Sequence, residues 1–383
     1  MAQVALGLVL VVGAGLLARS LGRLMAVDPG FRVDRALMAT IELPSARYPD
    51  PAAQSRFFLE LTDRLERLPG VVSAAASTQV PLEGYGINFS YWIEGDGRSE
   101  SDRPNGDFRV VTPGYFATAG IPILRGRGFD GTDQAGGVPV IIVDETLARL
   151  EFGSDDPVGR RMNVSYGGEA GPRTIVGVVG AVRQRRLESE SYPGYYLPIR
   201  QVTWSTMRVL LRASGDPAAL TESLRRETAA LDPALAVRGV RTLDEHLAAA
   251  VGSPRFNALL IASFAAVTLL LALSGIYSLM TYLVAQRTHE IGVRMALGER
   301  RAQVRRAVAG TGVRLALVGV GLGLLAAAGV ARLLRELLFE VGPGDPLTFL
   351  SAALTFLLVA WIGSYLPARR ASTVDPLIAL RGD

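Results

Sequence analysis

The sequence predicts a membrane protein of four transmembrane α-helices carrying one large extracytoplasmic α+β domain, which is itself split by a mainly β insertion. Three observations lead there. Apolar residues make up 49% of the 383 residues and charged ones only 20%, with a mean hydropathy of +0.28, on the membrane side of globular usage. The uncharged runs that raise this mean gather at the two ends of the chain. Between them, strand-like and helix-like patterns alternate with glycine- and proline-rich stretches.

The first span is residues 2–18, AQVALGLVLVVGAGLLA, closed by Arg19 and short for a stretch that must cross about 30 Å of hydrocarbon. A cleaved signal peptide is the competing reading, although the positive leading segment of such peptides is missing. No charge occurs between Arg255 and Arg287, which places a second span at 256–284. The third, 310–333, presents Gly319, Gly321, Gly323 and Gly329, small residues that let helix backbones approach where no hydrophobic effect drives association. The fourth, 347–367, holds Trp361 and Tyr365 near one end, as an interfacial aromatic belt would. A buried core helix of a soluble protein is the alternative for each. None of the four carries an ionisable residue at its centre, where an ion-coupled carrier would need one.

Orientation follows from the short loops, because arginine near a span end is retained in the cytoplasm. The connection 285–309 and its flank carry Arg287, Arg294, Arg300, Arg301, Arg305, Arg306 and Arg314 against Glu290 and Glu299. By parity the tail 368–383 shares that side, while residues 27–255 lie outside.

This outer region contains a weak repeat. Residues 36–43 read as a strand, Asp50-Pro51-Ala52-Ala53 opens a helix through Arg67, and 71–77 is a second strand. Residues 207–212, a second Asp216-Pro217-Ala218-Ala219 and 236–241 repeat the order, both helices starting with aspartate at the N-cap and proline at N1. A split α+β domain, 30–77 with 206–250, is expected. The insertion 78–205 reads as mainly β with one short helix at 144–152. Tyr192, Tyr195, Tyr196 and Trp204 cluster near its end as a recognition surface, core packing being the alternative.

Little enzymatic chemistry is open to this chain. It has no cysteine, and all 40 basic residues are arginine, so thiol catalysis, a cysteine-ligated zinc site, a lysine Schiff base and a Walker A loop are excluded. His246 and His289, assigned to opposite sides of the membrane, cannot build a metal site together. No G-x-S-x-G elbow stands beside either histidine. Arg160-Arg161 and Arg185-Arg186 read as solvated faces, not nucleic-acid contacts. No cofactor or metal site is expected in the chain.

The segment after the second span, RTHEIGVRMALGERRAQVRR at 287–306, suits a short amphipathic helix, although as a basic juxtamembrane loop it needs no role beyond topology. This segment, the closing PARRASTVDPLIALRGD at 367–383 and ARSLGRLMAVDPGFRVDRAL at 18–37 resemble the FtsX-like and MacB-like permeases of ABC transporters. The resemblance covers nearly the whole chain and implies a porter-like split lobe with an inserted β lobe, in a bacterial plasma (inner) membrane.

It further implies a coupling helix docking into an ABC ATPase subunit, with Ile291, Met295 and Leu297 as apolar contacts and Glu290 and Arg294 as orienting charges. Gly292, Ala296 and Gly298 complete that segment. ATP and Mg would then belong to the partner. The chain would be a single four-span half forming a homodimer, or one half of a longer permease beside a second half. An extracytoplasmic protein or small molecule would be its substrate, with no nucleic acid. A membrane-anchored receptor or scaffold recruiting a cytoplasmic signalling partner is the alternative function.

Overall fold

A computed structural model describes residues 2–84, 86–166, 169–287, 290, 293 and 299–371. After helix α1 (Ala2–Met25) the chain enters a unit of its own, Val27–Val251, and returns from it to helices. That unit runs β1 (Ala36–Glu42), α2 (Pro51–Glu66), β2 (Val71–Ser77), β3 (Asn88–Ile93), β4 (Asn105–Val111), α3 (Tyr115–Ala119), β5 (Ile123–Gly126), β6 (Val140–Asp144), α4 (Glu145–Phe152) and β7 (Arg161–Tyr166). It continues with β8 (Glu169–Val179), β9 (Gly194–Pro198), β10 (Thr206–Ala213), α5 (Thr221–Leu231), β11 (Val237–Thr242) and α6 (Leu243–Ala250).

The two repeat units interleave. Strands run β11-β1-β10-β2, every pair antiparallel, with Thr40 opposite both Arg208 and Arg238. This is the ferredoxin-like split βαβ arrangement. Alternate residues of the strands (Leu37, Ala39, Ile41; Ala74, Ala76; Val209, Leu211) meet Phe58, Leu61, Leu65 and Leu224 of α2 and α5 in one core. Helix α2 starts where the aspartate-proline pair dictates, Asp50 accepting from the Ala52 amide at 3.0 Å. Asp216 caps the same way at 3.0 Å, but Pro217–Leu220 is a tighter 3₁₀ turn and α5 begins only at Thr221.

The insertion closes on itself. Strands follow one another β4-β3-β7-β8-β6-β9, and β9 returns to β4 in parallel, Asp107 opposite Gly194 and Val111 opposite Pro198. Closure removes the open edges that a seven-strand insertion would expose; β5 lies outside the ring, on β8. A single paired position, Ser77 with Val111, joins ring to split sheet. Among its described residues the insertion has two α-helices where the sequence suggests one. The second is α3, five residues between Gly114 and Gly120, both at positive φ (81° and 71°). Such flanks give so short a helix its start and stop.

Helices α7 (Gly252–Gln286), α8 (Arg301–Leu333) and α9 (Pro346–Ala371) form with α1 the other unit, and each of the four contains a stretch long and apolar enough to cross a membrane. α1 runs through Met25, well past the apolar stretch. α1 and α9 sit between α7 and α8, which hardly touch. Val4, Leu8, Val12 and Leu16, one turn apart, make the inner stripe of α1 and meet Ala272, Val320, Ala327, Ala352 and Phe356. Removal of α1 as a signal peptide would strip this core. Small residues permit the approach: a Cβ on Gly7 would lie 2.7 Å from the Phe356 ring and one on Gly323 would lie 2.9 Å from Leu8. The Arg19 guanidinium pairs with Asp345, the N-cap of α9, and Ser20 Oγ accepts from the Phe339 amide at 2.8 Å. At the opposite end Arg370 donates to the Tyr277 hydroxyl at 2.7 Å. The C-terminal end of α1 therefore shares a side with the start of α9, and the ends of α7 and α9 share the other.

Candidate functional site

Of the segment expected to contact an ATPase, Glu290 and Val293 are helical, while Ile291, Gly292, Arg294, Met295, Ala296, Leu297 and Gly298 lie outside the described residues. The flanks are clear. α7 continues unbroken to Gln286, and α8 starts from Arg300, whose amide is capped by Gln303 Oε1 at 3.0 Å. The segment thus connects two long helices that pack chiefly on α1 and α9 and hardly on each other.

The four aromatic residues near the end of the insertion do not make one surface. Tyr195 and Tyr196 are fully buried, because β9 is paired on both sides and its alternate side chains enter two different packing layers. Tyr195 packs with Phe108 and Tyr91 and donates to the Phe89 carbonyl, while Tyr196 packs with Tyr115 and Phe116 and accepts from Gln184. Burial raises both phenol pKa values. Neither can face a partner, which corrects the sequence reading for these two. Trp204 leans on Phe108 and Tyr166. Tyr192 is covered by Arg185, whose guanidinium lies 3.7 Å from the ring centroid.

Arg185 is therefore no solvated arginine. It also donates to Asp107 Oδ1 at 3.2 Å, on the layer of β4 opposite Phe108. On that layer Asp107 and Arg109 are nearly fully buried 3.9 Å apart, and the three guanidinium nitrogens of Arg109 have no hydrogen-bond partner. Asp144, at the end of β6, caps α4 by accepting from the Leu147 amide at 2.7 Å, yet burial pushes its carboxyl up to about 7.

A cavity of about 560 Å³ opens beside this layer, lined by Gln79, Glu83, Arg185, Arg186, Arg208, Arg241 and His246 among others. Sequence reasoning had singled out His246 and the Arg185-Arg186 pair without joining them. Nor did it find Arg208 and Arg241, although a signal existed. Both occupy strand positions that alternate with core residues, and β1 lies between them, pairing Met38 with Arg241 and Thr40 with Arg208. That parity puts both arginines on the sheet face away from α2 and α5. Among the described residues no cluster of three His, Cys, Asp or Glu has the geometry to hold a metal ion.

Residues 1–227 match the MacB-like periplasmic core domain, and residues 262–376 match the FtsX-like permease C-terminal family. The chain is 32% identical over 290 residues to the macrolide export ATP-binding/permease protein MacB of Rhodospirillum rubrum, a match covering 71% of this chain and 42% of that protein. It is 25% identical over 336 residues to a probable export ATP-binding/permease protein of Pseudomonas fluorescens, covering 81% of this chain and 50% of the relative. The chain thus spans half or less of the curated relatives it matches. Among solved structures, the periplasmic region of MacB from Actinobacillus actinomycetemcomitans aligns with a TM-score of 0.38 at 12% identity, over 56% of this chain and 92% of that one.

Proposed function

The chain belongs to the family of FtsX-like permeases that carry a MacB-like periplasmic core domain, and from that membership we propose that it is the permease subunit of a MacB/FtsX-type ABC transporter. It transmits ATP-driven motion of a separate ATPase to the domain 27–251, for export or extraction of a substrate. The observation that carries this reading is the order of parts: the periplasmic-domain match begins in α1, and the permease match spans α7 to α9 with the basic loop inside it.

Three consequences belong to the proposal. The loop 287–300 and residues after 371 face the cytoplasm, supported by their arginines and by the pairing of helix ends through Tyr277 and Arg370. The ATPase docks on Glu290 to Gly298, with Glu290 and Arg294 as the orienting charges. A second permease half or a second copy covers part of the exposed apolar surface of α7 and α8, and lipid the remainder.

The mechanism is mechanical. α7 leads directly from α6 of the domain to the basic loop, so a tilt imposed at the loop reaches the domain through a continuous 35-residue helix. No ionisable group stands at mid-span to bind a coupling ion. The test is to reverse Glu290→Arg and Arg294→Glu in the full chain and measure recovery of its ATPase from native membranes, together with stimulated hydrolysis. Both fall at least tenfold if two oriented charge contacts are lost. Normal co-purification and stimulation would show that this segment is not the coupling element.

A further inference from the structure

The cavity in the domain is cationic. Four guanidinium groups, Arg185, Arg186, Arg208 and Arg241, face a single carboxylate, Glu83. That carboxylate is already engaged, accepting from Arg208 Nε at 3.1 Å and from the Val80 amide at 3.3 Å. Burial lowers the pKa of His246, against the opposing hydrogen bond that its Nε2 makes to the Pro81 carbonyl at 2.7 Å, so its ring is not counted among the cavity's cations. With Arg185 held by Asp107 and Arg208 by Glu83, Arg186 and Arg241 leave the cavity an excess of positive charge.

It also keeps unspent hydrogen-bonding capacity. Gln79, 7% exposed, lines the cavity with its Oε1 buried and unpartnered, and Arg241 Nε is likewise buried without a partner. Such groups are ordinarily satisfied, and their clustering in one cavity marks a place for a polar ligand. The polar groups come from different directions: guanidinium donors from β10, β11 and the loop at 185–186, and the Gln79 amide from the turn after β2. A planar carboxylate offers acceptors in one plane, whereas a phosphate offers them tetrahedrally and matches several guanidinium forks. α6 contributes His246, Ala249 and Ala250 to the wall. Only six residues then lead from Ala250 to Phe256, where the uncharged stretch of α7 begins.

We propose that this cavity binds a phosphate group, carried by the headgroup of an anionic phospholipid or by a soluble phosphate compound. Arg186 and Arg241 contact the phosphate oxygens, Arg208 is held in place by Glu83, and Gln79 Oε1 accepts from a hydroxyl of the ligand. The site stands whatever partner docks on the loop after α7.

The full chain in neutral maltoside micelles, titrated calorimetrically with dioctanoyl phosphatidylglycerol, dioctanoylglycerol and inorganic phosphate, tests it. Phosphatidylglycerol binds, dioctanoylglycerol does not, and added salt weakens the binding. The double change Arg186→Ala and Arg241→Ala lowers affinity on the order of tenfold or more. Glu83→Gln removes the opposing charge and raises affinity severalfold, a gain that misfolding cannot produce. Inorganic phosphate binding as tightly as the lipid assigns a soluble ligand, and binding of the lipid alone assigns a membrane source; either supports the phosphate site. Equal binding of dioctanoylglycerol, no binding of either phosphate probe, or an affinity unmoved by the arginine and glutamate changes overturns it.

Discussion

The two units of this chain use apolar residues in opposite directions. In the domain, Phe58, Leu61 and Phe108 are fully buried, whereas Leu270 of α7 and Leu325 of α8 are 67% and 75% exposed. The polar residues invert as well. Among the described residues, buried charged side chains such as Asp107, Arg109, Asp144 and Arg212 all lie within 27–251, while the buried polar residues of the helical unit are the uncharged Ser20, Thr348 and Ser364. Where water is the solvent, removal of apolar area supplies the driving force and a charge inside can be repaid by pairing. Where lipid is the solvent, leucine gains nothing by turning inward, and close approach at small residues holds the helices together.

The largest test of this difference is a matched truncation. Phe108→Ala removes a ring at 5.1 Å from both Phe89 and Tyr166, and we expect it to cost about 3–5 kcal/mol. Leu270→Ala, of the same kind on α7, should stay within about 0.5 kcal/mol. Thermal midpoints of the full chain in detergent, followed by tryptophan fluorescence, compare the two. Equal losses would break the inversion.

Second is the buried carboxylate. Because burial raises Asp144 from 3.8 to about 7, the folded state holds its proton more tightly than the unfolded chain. That contribution is fully present below pH 3.8, declines as pH rises towards about 7 and is gone above. Asp144→Asn keeps an N-cap residue and should flatten this part of the stability profile between those limits. An unchanged slope in the variant would assign the titration to another group.

The third contrast lies within α8. Gly323→Leu forces a side chain into Leu8 and the Ala5 backbone, a cost of about 1–3 kcal/mol. Gly321 meets nothing within 4 Å, so Gly321→Leu should be neutral or slightly stabilising through helix propensity. A similar loss at both positions would mean that packing does not discriminate between the two faces.

Smallest is the tie between α1 and α9. Thr348 donates its amide (3.0 Å) and hydroxyl (2.6 Å) to Asp345 Oδ2, and these bonds with Arg19 lower the carboxyl pKa. Asp345→Ala loses cap and ion pair together, about 1 kcal/mol for the cap. Asp345→Asn keeps the cap, so the difference between the two midpoints isolates the cap from the pair with Arg19, worth about 0–1 kcal/mol.

Much of this was legible beforehand. The spans announce themselves as uncharged runs, and the two aspartate-proline helix starts mark the split lobe, because caps and hydrophobic runs are local signals. The order of strands in the insertion was not legible, since short strands of a closed ring alternate poorly; β9 is buried at every position. Tyr195 and Tyr196 looked like a surface for the same reason. Arg185 looked solvated because its partners, Asp107 and Tyr192, come from different parts of the insertion.

The sequence by itself determined which segments are apolar enough to meet lipid, and arginine placement supplied an expected direction for the chain, since both depend on the transfer energy of each segment taken alone. Only the tertiary structure decided that α1 is an inner helix, that the insertion closes into a ring, and that Arg186, Arg208, Arg241 and His246 share one cavity. Those facts arise from pairings between residues distant in the chain, which hydropathy and spacing do not record.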